Sequence, residues 1–408
     1  MLCLEDAFGI TPPKNARIIR NLVQAANLIQ SHILHFYHLA ALDYVKGPDT
    51  APFVPRYEGD YRLPPHVTEV VVGHYIQALA MRRKAHEMGA VFGAKMPHTM
   101  VFLPGGVTTD VTPEMIATYE GKLRELISFI DDVYLPDVLA VAGAYEDWFE
   151  IGAGCKNLLS YGGYPLTDQK DPSGANLYFA RGAYVDGRFV PVDADQIKEH
   201  VAHSWYKSGA GKHPFDGETL PEVDKRGAYS WIKAPRYQNH PCEVGALART
   251  WVGRNPQVAA LGDKAFSVMG RHFARAVETK AIAHAMLEWL QELAPGEPVF
   301  EAYDVPREAR GFGLTEAPRG ALGHWIAIED YKIMNYQAVV PSTWNIGPRD
   351  DKGVRGPLEE ALVGVEVADP DNPIELVRIV RAFDPCLACA VHVIEVKGGP
   401  RVTNFVIS

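Results

Sequence analysis

The spacing of apolar residues along the chain predicts a mainly helical protein. Ile18, Leu22, Ala26, Ile29 and Ile33 recur at intervals of three and four, which is typical of one face of a helix over 16–45. Thr112 before Pro113 and Asn372 before Pro373 are typical of helix starts. The other predicted helices cover 67–92, 112–134, 137–149, 193–207, 245–260, 264–293 and 372–383.

Signals for strands are shorter and lie between the helices. Residues 150–192 are rich in glycine and tyrosine with alternating stretches, which predicts short strands and turns. Residues 325–340 predict a β-hairpin around Glu329-Asp330, and 393–408 predict a β-rich tail. We therefore predict an α+β fold, in which a large helical body carries small β-sheets and no internal repeat is present.

Composition excludes several classes of protein. The 408 residues are 47% hydrophobic and 22% charged, which argues against a disordered or fibrous chain. The formal charge of −10 argues against a nucleic-acid partner. No run of 18 apolar residues and no basic-then-apolar N-terminus occurs, so we expect neither a transmembrane helix nor a signal peptide. Five cysteines are too few, and odd in number, for a disulfide scaffold.

Two of the cysteines form the sharpest chemical signal in the chain. Cys386 and Cys389 are three positions apart, and His392 follows them. Thiolates are soft donors that favour zinc, nickel, copper(I) or iron–sulfur over magnesium or calcium. The spacing alone leaves metal binding, a redox pair and a chance pair open, although a position after a helix near the C-terminus fits a thioredoxin-like motif poorly.

Other candidate groups favour structural roles. His32, His35 and His38 share a predicted helix, where packing or a subunit contact is favoured over metal binding. The Glu199-His200-x-x-His203 segment is not an HExxH motif, so a structural role is favoured there too. Cys155 and Cys242 are expected to be buried thiols rather than ligands.

Asp384-Pro-Cys-Leu-Ala-Cys-Ala-Val-His392 resembles the C-terminal signature of the large, catalytic subunit of nickel–iron hydrogenases. Further segments resemble the family in the same order, so the resemblance spans essentially the whole chain. These segments are 13–21, 35–39, 92–99, 105–107, 203–206, 229–237, 316–320 and 339–344. The resemblance implies the fold of that subunit, with a large-subunit domain at 1–392 and a C-terminal extension at 393–408.

The resemblance also implies the metal centre. Family members hold one nickel and one iron through four cysteines in two CxxC pairs, and the iron carries CO and cyanide. Cys386 then matches a terminal nickel ligand that also acts as a base, and Cys389 matches the bridging ligand. His392 matches a ligand of a nearby Mg²⁺, and the backbone carbonyl of Ala338 matches a group that faces the same ion.

Several residues near this centre take roles from the same resemblance. Arg319 matches an arginine over the open metal face, and Asp384 matches an acidic residue paired near it. A further set matches the pocket of the cyanide ligands, as donors or apolar walls, and consists of Ala317, Pro318, Val340, Pro341 and Ser342. Ser31 departs from the family, because many relatives carry an acidic residue there.

One part of the family pattern is expected outside this sequence. The other CxxC and a glutamate used for proton exit lie upstream of the segment that begins here at Met1, so we expect this sequence to supply two of four thiolates. Relatives also lose a C-terminal extension to a dedicated protease, which places the cleavage site between His392 and Val393.

The resemblance implies reversible cleavage of H2 to protons and electrons. The expected partners are an iron–sulfur small subunit, a maturation protease and nickel-insertion chaperones, and a membrane cytochrome reached through the small subunit is allowed. A periplasmic location through the small subunit is favoured, and a cytoplasmic one is allowed. A scaffold without the cluster and a hydrogen sensor on the same fold are the alternatives.

Overall fold

The structure, a computed structural model, describes residues 1–56, 59–169, 171 and 173–385, together with the backbone of strands at 391–395 and 401–405. Helices form most of its regular structure. They are α1 (Leu2–Phe8), α2 (Lys14–Leu34), α3 (Pro65–Gly93), α4 (Pro113–Phe129), α5 (Leu135–Ala144), α6 (Ala246–Val252), α7 (Pro256–Ala259), α8 (Val268–Gln291), α9 (Pro341–Ile346), α10 (Pro357–Leu362) and α11 (Ile374–Ala382).

The strands are short except for three near residue 320. They are β1 (Phe102–Leu103), β2 (Gly106–Val107), β3 (Leu158–Ser160), β4 (Gly163–Pro165), β5 (Leu177–Phe179), β6 (Gly182–Val185), β7 (Arg188–Val190), β8 (Ile197–His200), β9 (Ala234–Tyr237), β10 (Ala309–Ala317), β11 (Gly320–Glu329), β12 (Lys332–Val339), β13 (Val391–Glu395) and β14 (Arg401–Phe405). A mainly helical body with small sheets is thus confirmed.

Helix α8 lies at the centre of the helical body, where it contacts α2, α4, α5, α6 and α11. Both α2 and α8 are buried on most sides, which is expected of helices that hold a core together. The largest apolar cluster joins Leu22 and Ile29 of α2 to Ile282 and Met286 of α8. The same helix also carries buried polar side chains into the interior, and these approach the site described below.

Two predicted helices change geometry near their ends. Helix α2 continues into a π-helical turn at His35–Ala40, within the single helix predicted for 16–45. Helix α4 starts as predicted, because the Thr112 side chain accepts a hydrogen bond from the Met115 backbone N–H. A π-helical turn at Ile130–Tyr134 follows it, just before Pro136, which has no N–H to continue the regular ladder.

The largest sheet has the order β10-β11-β12, and all its pairs are antiparallel. The predicted hairpin is confirmed as β11 and β12, while the sequence did not reveal β10. Gly311 and Gly313 weaken the strand signal of β10. They are needed there because α1 packs on β10: a Cβ added at Gly311 would lie 2.3 Å from the Cys3 carbonyl oxygen.

Short sheets β3-β6-β7 and β4-β5 account for residues 150–192 as predicted, and β8 pairs with β9. In the tail, Val391 pairs with Phe405 and Glu395 with Arg401, which agrees with a β-rich end. Within the described residues, no helix has both the length and the apolar content needed to cross a membrane.

The prediction of a helix over 193–207 was wrong. Asp193 does cap a turn, but only a 3-10 turn at Ala194–Gln196 follows before β8 begins. Strand β8 alternates buried and more exposed positions, and that period of two dominates the local helix-start signal.

Two other helix predictions needed smaller corrections. The helix predicted for 245–260 is two helices, α6 and α7, because Asn255 caps a new start. The cap of α11 is Pro373 rather than Asn372.

Candidate functional site

The turn between β10 and β11 carries Arg319 to one end of the sheet. Ala317 pairs with Gly320 across this turn. Gly320 has a φ of +132°, and a Cβ added there would lie 2.5 Å from the Gly245 backbone nitrogen. The turn is therefore pressed against the segment that precedes α6, and only glycine allows that approach.

Arg319 meets the C-terminal end of α11. Its Nε donates a hydrogen bond to the Asp384 carbonyl oxygen at 3.1 Å, and its Nη2 lies 3.1 Å from Asp384 Oδ1. The Asp384 side chain is 2% exposed and that of Arg319 is 30% exposed. The pair thus joins a buried carboxylate to a guanidinium that still reaches open space.

A small pocket lies beside this pair, lined by Val244, Gly245, Arg275, Pro318 and Phe383 among others. Arg275 is buried, and its Nη2 donates to the Ala382 carbonyl at 2.9 Å. Its Nη1 has no hydrogen-bond partner within the described part of the chain. Arg271, Arg275 and Arg319 border the pocket together with Glu243. Glu243 pairs with Arg271 and Asp384 pairs with Arg319, so Arg275 is left without a carboxylate partner among the described residues, which favours an anionic occupant.

Arg249 holds the turn that carries Arg319. Its Nη1 donates to the Ala317 carbonyl at 2.9 Å, and its Nη2 donates to the Pro318 carbonyl at 2.9 Å. The same guanidinium bonds Glu278 through Nε and Nη2, and Glu316 through Nη1. Because all three charged side chains are 0% exposed, this network fixes the two peptides before Arg319 without help from solvent.

Burial raises the pKa of both carboxylates, Glu278 and Glu316, and Arg249 lowers the pKa of both, but the net result differs between them. Burial opposes ionisation of Glu278, but its bidentate contact with Arg249 lowers the pKa to about 2. Burial raises the pKa of Glu316 to about 7, because the same arginine offsets its desolvation only in part. His32 completes the network, with Nε2 at 2.9 Å from Glu278 Oε1, and burial lowers its pKa.

Residues after β12 reach the same end of the sheet as the Arg319 turn. Val339 pairs with Gly323, and Val340 is the cap of α9, with Pro341 buried behind it. Asn345 of α9 binds both backbone polar groups of Val244, at 2.9 and 3.0 Å. The predicted residues 340–342 therefore lie at the start of the helix whose Asn345 binds the segment against which the turn packs, while Ala338 lies one pair further along, opposite His324.

Four predicted positions have side chains that lie outside the described residues. Cys386 and Cys389 lie outside the described residues, and His392 and Val393 belong to β13, of which only the backbone is described. Among the residues that the structure does describe, no three histidine, cysteine or acidic side chains converge as a metal site.

The other candidate groups have separate partners. The three histidines of the first predicted helix contact Glu278, the Arg381 carbonyl and the Tyr75 carbonyl. Glu199 lies 3.4 Å from Lys233, and His203 contacts the Gly227 carbonyl. Cys242 is buried, whereas Cys155 is only partly buried.

Sequence reasoning missed Arg249, Glu278, Arg275 and the contact role of Glu316. A weak signal existed for two of them. Arg249 is a lone charge within the apolar stretch 246–252, and Glu316 begins the 316–320 motif. Their partners come from distant parts of the chain, which no local pattern indicates.

Comparisons with known proteins give one consistent answer. The family model described as Nickel-dependent hydrogenase matches residues 1–47 and 44–392. The chain is 44% identical to the periplasmic NiFeSe hydrogenase large subunit of Desulfomicrobium baculatum, over 98% of this chain and 82% of that protein. It is 32% identical to the quinone-reactive Ni/Fe-hydrogenase large chain of Wolinella succinogenes, over 97% of this chain and 84% of that protein.

A solved structure gives the same result for the fold. The G50T variant of NiFeSe hydrogenase from Desulfovibrio vulgaris Hildenborough superimposes with a TM-score of 0.91 at 44% sequence identity. The match covers 95% of this chain and 84% of that chain.

Proposed function

The chain belongs to the nickel-dependent hydrogenase family, and we propose that it binds and cleaves H2 in the pocket beside Arg319 and Asp384. It is a hydrogenase large subunit, and the reaction is H2 ⇌ 2 H⁺ + 2 e⁻. The observation that carries the proposed location is the Arg319–Asp384 pair at the rim of a cationic pocket. The comparisons support the catalytic function and give no support to a scaffold or a sensor.

Chain connectivity brings the first thiol close to this pair. Only Pro385 separates Asp384 from Cys386, and consecutive Cα atoms are 3.8 Å apart, so the Cα atoms of Asp384 and Cys386 lie within about 7.6 Å of each other. A pocket bordered by three guanidinium groups and one carboxylate, that of Glu243, suits thiolates and cyanide, which are anionic. The residues present therefore fit a nickel–iron centre, which Cys386 and Cys389 would hold as thiolate ligands.

The bound centre supplies the Lewis acidity and the redox capacity for heterolytic cleavage of H2. Two relatives are named as NiFeSe enzymes, whereas positions 386 and 389 are cysteines here, so these two ligands supply sulfur. Cys386 Sγ is the proposed base that accepts the proton released from H2.

Arg319 acts as a fixed positive charge over the reacting site. A guanidinium keeps its proton in proteins, so it can polarise H2 without taking part in proton transfer. Its 30% exposed side chain faces open space while Asp384 holds its other side. Arg249 is a positioning residue in this scheme, because it fixes the peptides that present Arg319.

The remaining assignments follow the same arrangement. Ser342 and the backbone near Ala317 are the proposed donors to the cyanide ligands, and the adjacent apolar walls are Pro318, Val340 and Pro341. His392 and the Ala338 carbonyl are the proposed ligands of a Mg²⁺ ion. We further propose cleavage between His392 and Val393 after nickel insertion, which separates a domain at 1–392 from 393–408; the family match also ends at 392.

The electrons released from H2 must pass to an electron acceptor. The described cysteines, at 3, 155 and 242, are free. A small subunit with iron–sulfur clusters is therefore the proposed partner, and a maturation protease, nickel-insertion chaperones and a membrane cytochrome are proposed beside it. A periplasmic location is proposed from the relative with that name.

The test uses the hydrogenase assembled with its small subunit. Nickel and iron content is measured together with H2-dependent reduction of benzyl viologen, for wild type and Arg319→Lys. Lysine keeps the charge but loses the planar fork, so we expect viologen reduction to fall by about 10²-fold at unchanged metal content.

The matched control is Arg307→Lys, which alters an exposed arginine–aspartate pair at the other end of the same sheet. It should leave viologen reduction unchanged. A metal-loaded wild type without H2-dependent reduction, or an Arg319→Lys variant with full activity, would overturn the proposal.

A further inference from the structure

Arg275 is a buried charge whose hydrogen bonds are incomplete among the described residues. The side chain is 6% exposed, and its Nη2 donates to the Ala382 carbonyl at 2.9 Å. Its Nη1 is also buried and has no hydrogen-bond partner in the part of the chain that the structure describes. More than nine in ten buried polar groups in proteins are paired, and an unpaired charged donor is especially costly. Nη1 therefore needs an acceptor from beyond these residues.

Arg271 shows that an arginine of the same pocket can be paired completely. It lies one turn before Arg275 on α8 and lines the same pocket. Its Nε and Nη2 each bind an oxygen of Glu243 at 2.8 Å, and its Nη1 donates to the Gly152 carbonyl at 2.6 Å. The two arginines thus share a helix and a pocket, but the described residues supply acceptors to every nitrogen of Arg271 only.

Two guanidinium groups hold the backbone that leads from α11 to Cys386. Arg275 binds the Ala382 carbonyl, as described above. Arg319 donates to the Asp384 carbonyl at 3.1 Å, two residues further along. Asp384 has a φ of +51°, so the chain leaves the helix there in a left-handed conformation. Both contacts therefore lie within four residues of the first proposed metal ligand.

The balance of charge favours an anionic acceptor for Nη1. Burial lowers the pKa of Arg275, and the Asp384 carboxylate is the strongest influence that opposes this. Asp384 is already paired with Arg319, however, and Glu243 is paired with Arg271. Charge-assisted hydrogen bonds to anions are about twice as strong as those between neutral groups. The thiolates and cyanides of the proposed centre carry the negative charge that Arg275 lacks.

We propose that Arg275 Nη1 donates a charge-assisted hydrogen bond to an anionic ligand of the metal centre, a cysteine thiolate or a cyanide. The inference rests on the proposed function, because it requires the centre to occupy this pocket. One arm of the guanidinium then fixes the end of α11, and the other draws electron density from the centre. Hydrogen bonds to metal ligands tune the redox potential of the metal. Arg275 therefore makes the centre easier to reduce.

Infrared spectroscopy tests this contact in the hydrogenase assembled with its small subunit. The stretching bands of CO and cyanide report the electron density at the iron that carries them. Wild type is compared with Arg275→Lys, which keeps the charge but loses the planar fork, and with Arg275→Gln, which loses the charge. Both variants should shift the bands and lower the midpoint potential titrated on them. The shift should be larger in Arg275→Gln.

The pattern of the shift identifies the acceptor. A shift of one cyanide band, with little change in the CO band, indicates that Nη1 binds that cyanide. A joint shift of the CO and cyanide bands indicates a thiolate, because a thiolate acts on all the iron ligands through the metals. Either pattern supports the inference.

The matched control is Arg271→Lys, which alters a buried arginine of the same helix and the same pocket. Its acceptors are the Glu243 carboxylate and backbone carbonyls. The variant should unfold at lower urea concentration than wild type, because lysine cannot serve all of these acceptors. It should leave the infrared bands and the midpoint potential unchanged.

Unchanged bands and an unchanged potential in both Arg275 variants, in enzyme that reduces viologen with H2, would overturn the inference alone and assign Nη1 to internal water. Equal shifts in Arg275→Lys and Arg271→Lys would also overturn it, because general loosening of the pocket would explain both. Loss of nickel from both Arg275 variants, with nickel retained in Arg271→Lys, would support it. Band shifts in the Arg275 variants of an enzyme whose metal-loaded wild type lacks H2-dependent viologen reduction would overturn the proposed function alone.

Discussion

Replacing Arg249 with lysine tests how the position of Arg319 is maintained. Arg249 makes five hydrogen bonds, to Glu278 twice, to Glu316, and to the carbonyls of Ala317 and Pro318. A lysine ammonium has three donors, so at least two buried acceptors lose their partner. Retention of the positive charge prevents the larger penalty of two uncompensated buried carboxylates.

The structure sets the size of the expected effect. Each buried acceptor left without a donor costs about 1–3 kcal/mol, so Arg249→Lys should destabilise the fold by about 2–6 kcal/mol. Domains are typically stable by about 5–15 kcal/mol, so the variant should still fold. A loosened turn shifts Arg319, and a displacement of about 1 Å can reduce turnover about 10²-fold.

The assay compares Arg249→Lys with Arg236→Lys. Arg236 is also buried and bonds one carboxylate, Asp350, and three carbonyls, but it lies away from the Arg319 turn. Both variants should unfold at lower urea concentration than wild type. Viologen reduction per folded, metal-loaded enzyme should fall only in Arg249→Lys, and equal losses in the two variants would refute the positioning role.

Three further outcomes follow from the same structure. Arg249 lowers the pKa of Glu278 to about 2 despite burial, so its stabilisation should be present above pH 4.5 and be lost as the pH falls toward 2; urea curves of wild type and Glu278→Gln should therefore converge in acid, and a constant difference would contradict this. Cys242 is buried and its burial raises the pKa of its thiol well above the usual value, so mass spectrometry should find it unalkylated by iodoacetamide at pH 8 in the folded protein; rapid alkylation would oppose that view. Intact mass of active enzyme should lack residues 393–408, and a full-length chain in active enzyme would argue against cleavage.

Long helices could be predicted because their periodicity repeats often enough to dominate local exceptions. Helices α3 and α4 began within two residues of their predicted starts, and α8 within four. Residues 193–207 show the opposite case, where a capping residue suggested a helix and four alternating positions made a strand. Strand β10 was not predicted because its glycines, which weaken the strand signal, are needed for close contact with α1, which lies more than 300 residues away in the sequence.

The candidate site likewise contains residues that could be predicted from the sequence and residues that could not. Arg319 and Asp384 could be named because short motifs around them resemble those of the family, and the structure places them 3.1 Å apart. Arg249, Glu278 and Glu316 form their network across separations of 29 and 67 residues, so tertiary packing alone brings them together. A local motif can identify groups at a reaction centre, but the side chains that hold those groups depend on the fold.

The serine at position 31 affects the balance of charges around the Arg319 pocket. With serine rather than an acidic residue at 31, the ion pair that the described residues give Arg319 is with Asp384, and Arg271 is paired with Glu243. Buried Arg275 adds a positive charge that has no carboxylate partner among the described residues, and such a charge is costly in a region removed from water. An anionic occupant relieves that imbalance, and the Cys386 and Cys389 thiolates with cyanide ligands would supply it. The pocket is therefore better suited to an assembled metal centre than to water alone.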